Sequence, residues 1–285
     1  GTSNNMSATF SDDPYSYVTN PLSTDGLKEL AEKGLAVNTQ KSSGISYSET
    51  KRVGGTLQIN RKLSDNGRNI TLKGTANYSE GESNNLSTSN VHLYQIKDAL
   101  GNDSTYQTNR YSFTPTKNWD YMAEATYSEP IFKATYLQFR YSFQYKYSKS
   151  DRKTYDFSNL GEDFFNGLSP EYRMWDGYLG KLTNPLDSYY DVDLSRYSEY
   201  KNYINNFELI LRVVRKSYNL NLGVKLVPQK TKFIQNYQGV YTDTVRNVTN
   251  ITPTADLKWK ISKVSELRFN YRGSTSQPSM TDLLD

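Results

Sequence analysis

The sequence predicts an all-β fold: part of an antiparallel, up-and-down transmembrane β-barrel. Three observations predict it. First, residues 133–148 alternate strictly. Leu137, Phe139, Tyr141, Phe143, Tyr145 and Tyr147 fall on one side, and Gln138, Arg140, Ser142, Gln144, Lys146 and Ser148 on the other. A period of two means a strand between two unlike environments. The run exceeds the ~5–6 residues of an ordinary strand and reaches the ~9–11 that cross a bilayer. Second, tyrosine dominates the aromatics, with 25 Tyr against 11 Phe and 3 Trp. A ring with a polar tip suits a membrane–water interface, although a Tyr-rich soluble β-sandwich has the same composition. Third, no stretch approaches the ~18 apolar residues of a membrane-crossing helix. The mean hydropathy of −0.78 fits strands whose every second residue is polar.

Composition narrows the function classes. The chain has 285 residues, 34 basic and 30 acidic, intermixed with no basic run, so nucleic-acid binding is not expected. With no cysteine there is no disulfide framework and no thiol chemistry. The chain opens at Gly1 without a signal peptide and ends at Asp285 without a closing aromatic strand, which reads as an internal fragment.

In order along the chain, residues 1–43 read as an irregular loop, with one short helix from Asp25 to a Gly34 stop. Strand candidates follow at 44–49 and 53–63, where Val53, Gly55, Leu57 and Ile59 share a face. Ser64–Asn69 contains Asn66-Gly67, a hairpin signal leading into Ile70, Leu72, Gly74, Ala76 and Tyr78. Residues 81–90 are polar and loop-like. Strands are expected near 91–97, 104–113 and 118–129, with a turn at Glu129–Phe132 before the long strand. Residues 150–197 lose the alternation and read as one long loop, expected on the extracellular side, where barrels of this kind carry their longer connections. Alternation resumes at 199–215, turns at Lys216-Ser217 and continues through 218–235. Weaker strands lie near 238–250. Leu257 and Trp259 then precede a turn at Ile261–Ser265, followed by Leu267, Phe269 and Tyr271. The sum is roughly ten to twelve strands in a meander, all in one barrel domain over 1–285.

The last segment, from Ser265 to Leu284, resembles a motif of Bacteroidetes outer-membrane barrels in the TonB-dependent receptor-like family. Leu267, Arg268, Asn270, Tyr271, Gly273, Ser274, Thr275, Pro278, Ser279 and Leu283 carry the resemblance. Leu257–Lys263 and the hairpin at 60–69 look similar as well. The resemblance implies a closed barrel of about 22 strands, a plug domain, TonB as energising partner and uptake of a nutrient, with a surface lipoprotein as a further possible partner. Neither a plug nor a TonB-contacting motif lies within these residues, and the sequence stops before the Gly-Asn-Pro-x-Leu segment that usually follows in the family.

Candidate sites are few. Trp175, Tyr178, Tyr189 and Tyr190 in the long loop suit stacking on a sugar or anchoring a peptide, or else packing of the loop on itself. Asp187, Asp191 and Asp193 could offer oxygens to a hard cation, or form a solvated acidic loop. His92, the one histidine, has no evident partner and reads as a surface residue. Arg140, Lys146, Arg212, Lys225, Lys258, Arg268 and Arg272 sit on polar faces, where they would line a lumen that attracts anions or pair with acids. No phosphate loop, nucleophile elbow or zinc-protease motif is present, so neither an enzyme nor a cofactor is expected. The expected function is an outer-membrane transporter barrel embedded in lipid. The alternatives are a non-transporting structural or assembly barrel, or a soluble secreted carbohydrate-binding β-sandwich.

Overall fold

The computed structural model describes residues 1–160 and 177–274. Among them nine strands form one antiparallel sheet in chain order. They are β1 (Thr2–Phe10), β2 (Ala36–Lys62), β3 (Asn69–Lys97), β4 (Asp103–Phe132), β5 (Thr135–Asp156), β6 (Tyr190–Val214), β7 (Tyr218–Tyr237), β8 (Val240–Lys260) and β9 (Glu266–Arg272). Each pairs only with its sequence neighbours, so β1 and β9 each leave one edge unpaired among the described residues. This is the expected up-and-down meander of a barrel wall, left incomplete.

Several strands are longer than expected, and segments read apart join into one. The separate candidates at 44–49 and 53–63 belong to β2, which has 27 residues. Residues 81–90 run through the middle of the 29-residue β3 rather than a loop. The pieces at 104–113 and 118–129 are both β4, of 30 residues. The first 43 residues hold β1 and the start of β2 besides the helix, α1 (Thr24–Glu32). The long connection between β5 and β6 is correspondingly shorter at both ends than 150–197.

Turn chemistry explains the hairpins. Lys216-Ser217 is the two-residue loop expected, closed by Arg215 N–H donating to Tyr218 O at 2.8 Å. Gln238 and Gly239 have φ of 52° and 75°, left-handed at both central positions, as a primed hairpin turn requires. The turn between β4 and β5 is Lys133-Ala134 rather than Glu129–Phe132, with Ala134 at φ 48°. Arg215 ties it to its neighbour, donating to Lys133 O at 3.1 Å and to Thr135 Oγ1 at 3.0 Å. In α1, Ser23 caps the first turn by accepting from Gly26 N–H at 3.0 Å.

The two faces of the sheet differ in a way a soluble protein reverses. On the apolar face Phe139, Tyr141, Phe207, Leu209, Leu222 and Val224 are 37–47% exposed. On the polar face Ser142, Asn202, Thr231, Phe233 and Gln235 are buried to 7% or less. Side chains crowd on the inside of a curved sheet and splay on the outside, so the polar face is the concave one. The apolar face forms a band. Register aligns Val53, Tyr78, Trp119 and Tyr147 along its loop side. Tyr218, Trp259 and Leu267 align on its turn side. Beyond Trp119 the same face turns charged, through Lys51, Glu80, Lys117, Lys149 and Glu199 in one row.

A core forms only at the loop end. Ile45, Leu86, Tyr111 and Tyr155 pack with Phe157 and Tyr178 of the β5–β6 connection. By strand alternation these four residues lie on the same face as the apolar band. Thr39 and His92, beside α1, share that face, so the described parts of both long connections cover it.

Candidate functional site

The loop aromatics separate into two environments. Tyr178 is 8% exposed within the apolar cluster, and burial raises its hydroxyl pKa. Half-buried Tyr189 meets Phe157 edge-on at 5.0 Å. Tyr190, at the start of β6, stays 44% exposed with its ring 5.9 Å from Tyr155. Of these three, Tyr190 alone offers a free face to a ligand. Trp175 lies outside the described residues.

The aspartates do not converge. Asp191 Oδ1 accepts from the N–H groups of Asp193 at 2.9 Å and Leu194 at 3.2 Å, shaping the bulge that opens β6. Asp187 sits in the short helical turn before it and is exposed, as is Asp193. Among the described residues no three His, Asp or Glu side chains come together as a metal site.

His92 has a partner that its sequence neighbourhood hides. Its Nε2 is 2.8 Å from Asp103 Oδ2 across the β3–β4 hairpin, and its ring stacks on Tyr94 at 4.2 Å. Lys97 donates to the other carboxylate oxygen. Lys97 first, then His92, holds the Asp103 carboxyl below the usual carboxylate range. Only the bulge between Leu93 and Lys97 brings Lys97 level with Asp103. A hollow of about 540 Å³ beside this trio, under α1, is lined by Met6, Leu22, Lys28, Lys41, His92 and Tyr94.

The polar face carries the cations expected there, mostly paired. Arg140 reaches Glu208 at 3.3 Å, Lys258 and Arg268 share Glu266 at 3.3 and 2.5 Å, and Arg272 lies 3.9 Å from Asp256. Surface pairs of this kind add ~0–1 kcal/mol each, so they neutralise the wall more than they stabilise it. Sequence reasoning missed Arg152 and Arg196. Both fell inside the span read as loop, yet both lie in strands, directly opposite each other across the β5–β6 ladder.

Comparison with known proteins adds little. No protein-family description matches the chain, and no curated protein matches its sequence. Among solved structures it is similar to the ferric citrate transporter FecA in the unliganded form, at 11% identity and a TM-score of 0.37. That match covers 81% of this chain and 38% of the other, so the chain spans well under half the length of the transporter. No helix among the described residues is long and apolar enough to cross a membrane, which leaves open a crossing by strands.

Proposed function

We propose that this chain is part of the wall of an outer-membrane transporter barrel that takes up a nutrient. The observation that carries the reading is the exposed apolar band on the convex face. Leu137 to Tyr147 span roughly 11 residues, about 35 Å along the strand, and about 25 Å in height at the usual tilt of ~40–45°. That height matches the apolar band of outer-membrane barrels, and aromatic rows border it on both sides. Leaving so much apolar surface in water would mark an interaction surface of unusual size. A lipid environment removes that penalty, and closure of the barrel by further strands removes the open edges at β1 and β9. A soluble sandwich does not fit, because it would bury the apolar face and expose the polar one.

The motif at 265–284 narrows the proposal to the TonB-dependent receptor-like family of Bacteroidetes, with TonB as energising partner and a surface lipoprotein as a possible second one. Its residues from 275 onward lie outside the described structure. The non-transporting barrel shares the wall and differs in moving no solute.

Fractionation tests the membrane reading. The full-length protein is expected in the outer-membrane fraction, with an unboiled band that shifts on boiling. Recovery in the soluble fraction without a shift removes the barrel. Energy-dependent accumulation of a nutrient, abolished when the energising partner is deleted, separates the transporter from the structural barrel.

A further inference from the structure

Two arginines stand opposite each other on the concave wall, with no acid paired to either among the described residues. Arg152 and Arg196 are direct register partners, on the face that carries Lys146, Ser148, Tyr200 and Asn202. Opposed residues of an antiparallel pair hold their Cβ atoms ~4.5–5.5 Å apart, and like charges there destabilise the sheet. Neutral oxygens hold both guanidiniums. Arg152 Nη2 donates to Leu194 O at 3.3 Å, and Arg196 Nη2 to Gln235 Oε1 at 2.9 Å. Gln235 is itself buried, and the Tyr237 ring lies 5.6 Å from the Arg196 guanidinium. Arg196 Nε is buried without an acceptor.

Among the described residues no carboxylate approaches either arginine within 4.0 Å. Register brings two acids to this end of the face. Asp191, opposite Thr154, spends its Oδ1 on two backbone N–H groups. Asp156, opposite Arg110, accepts from Ser158 N–H at 2.9 Å. The surrounding rows are rich in hydroxyls: Ser150 faces Ser198 one row below, next to Thr116. The described parts of the long connections lie over the opposite face, so among the described residues neither connection covers this one.

We propose that Arg152 and Arg196 form a recognition site for an oxyanion, carboxylate or phosphate, carried by a hydroxyl-rich solute. Two guanidinium forks carried by opposed residues match the paired oxygens of such a group better than lysines would, and an anion bound by both offsets their like charge. The serine and threonine hydroxyls then meet the hydroxyls of the solute. Buried Gln235 is a positioning residue that fixes Arg196. The proposal rests on the barrel reading and adds the substrate class to it.

Calorimetric titration of the full-length protein in detergent tests it, with galacturonate, glucose 6-phosphate and glucose as probes. At least one acid is expected to bind tenfold or more tightly than glucose. Arg152→Gln and Arg196→Gln are each expected to weaken that acid at least fivefold and leave glucose unchanged, whereas Lys62→Gln at the turn end changes neither. Each preparation is also run boiled and unboiled. A heat-shifting protein with no preference for an acid, or a preference that survives both arginine substitutions, overturns the site and leaves the barrel standing. A protein that shows no shift removes the barrel and the site with it.

Discussion

Replacing Phe207 by arginine separates a lipid-facing wall from a soluble sheet by the sign of the effect. Phe207 lies near the middle of the apolar band, opposite Tyr141 and level with Leu226. It is 47% exposed. An aromatic side chain covers ~150–250 Å² in all, so about 100 Å² faces outward. At ~25 cal/mol per Å² that surface is worth about 2.5 kcal/mol in lipid and nothing in water. An arginine at the midplane of a barrel's lipid face costs a further ~2–4 kcal/mol. Phe207→Arg is therefore expected to destabilise the protein by about 4.5–6.5 kcal/mol in lipid, roughly a thousandfold or more in the folding equilibrium. In a soluble sheet the same change at so exposed a site stays within ~0.5 kcal/mol of neutral. The control is Gln144→Arg on the concave face, where the new side chain keeps a donor for Asp120, now bonded by Gln144 Nε2 at 2.8 Å. The assay is a guanidinium folding titration of the full-length protein in lipid vesicles. Equal effects of the two substitutions, or a Phe207→Arg effect under about 1 kcal/mol, would refute the reasoning.

Three further outcomes are expected. Asp103 has a folded-state pKa below its unfolded value, so its contribution is present above the ordinary carboxylate range and is lost as pH falls through the lowered value. Hydrogen-exchange protection at the β3–β4 loop end, corrected for the intrinsic pH dependence of exchange, should therefore fall on acidification from pH 5 to pH 3, and Asp103→Asn should flatten that dependence; an unchanged slope contradicts it. Ala134→Gly removes a left-handed conformation that costs an L-residue ~1–2 kcal/mol, offset in part by glycine's looser unfolded chain. A net gain of about 0.5–1 kcal/mol in the same titration is expected, and a loss contradicts it. Tyr178→Ala opens the apolar cluster beneath the β5–β6 connection, at about 3–5 kcal/mol for a buried aromatic. Limited proteolysis should cut that connection in an otherwise heat-modifiable barrel, and unchanged resistance would show that the cluster does not hold it.

Much of the wall was legible in the sequence, for a physical reason. Where one face meets apolar surroundings and the other does not, side chains must alternate, as they do from Leu137 to Tyr147 and from Leu220 to Leu226. Short turns between such runs, Lys216-Ser217 and Ile261–Ser265, follow from the run ends. Beyond the band both faces are polar or covered by loops, and alternation stops reporting on the backbone. Residues 81–90 are the instance: a strand by hydrogen bonding, polar on both sides but for Leu86. Arg152 and Arg196 were lost for the same reason. Their pairing depends on the β5–β6 register, and Lys97 joins His92 at Asp103 through a bulge that no residue type announces. Tyr178 and Tyr189 were noticed as aromatic, but the sequence does not say whether a loop tyrosine turns toward solvent or toward its own core.

The length of β4 has an electrostatic consequence. From Asp103 to Asn118 it keeps its ladder above the band for roughly 16 residues, about 50 Å along the strand. At physiological ionic strength a surface charge is felt over ~8 Å. On the membrane reading, the tip bearing Asp103, Lys97 and His92 stands several screening lengths clear of the headgroups. The protonation of Asp103 is then governed by the bulk medium and by the Lys97 and His92 side chains beside it, whatever the charge of the lipid beneath.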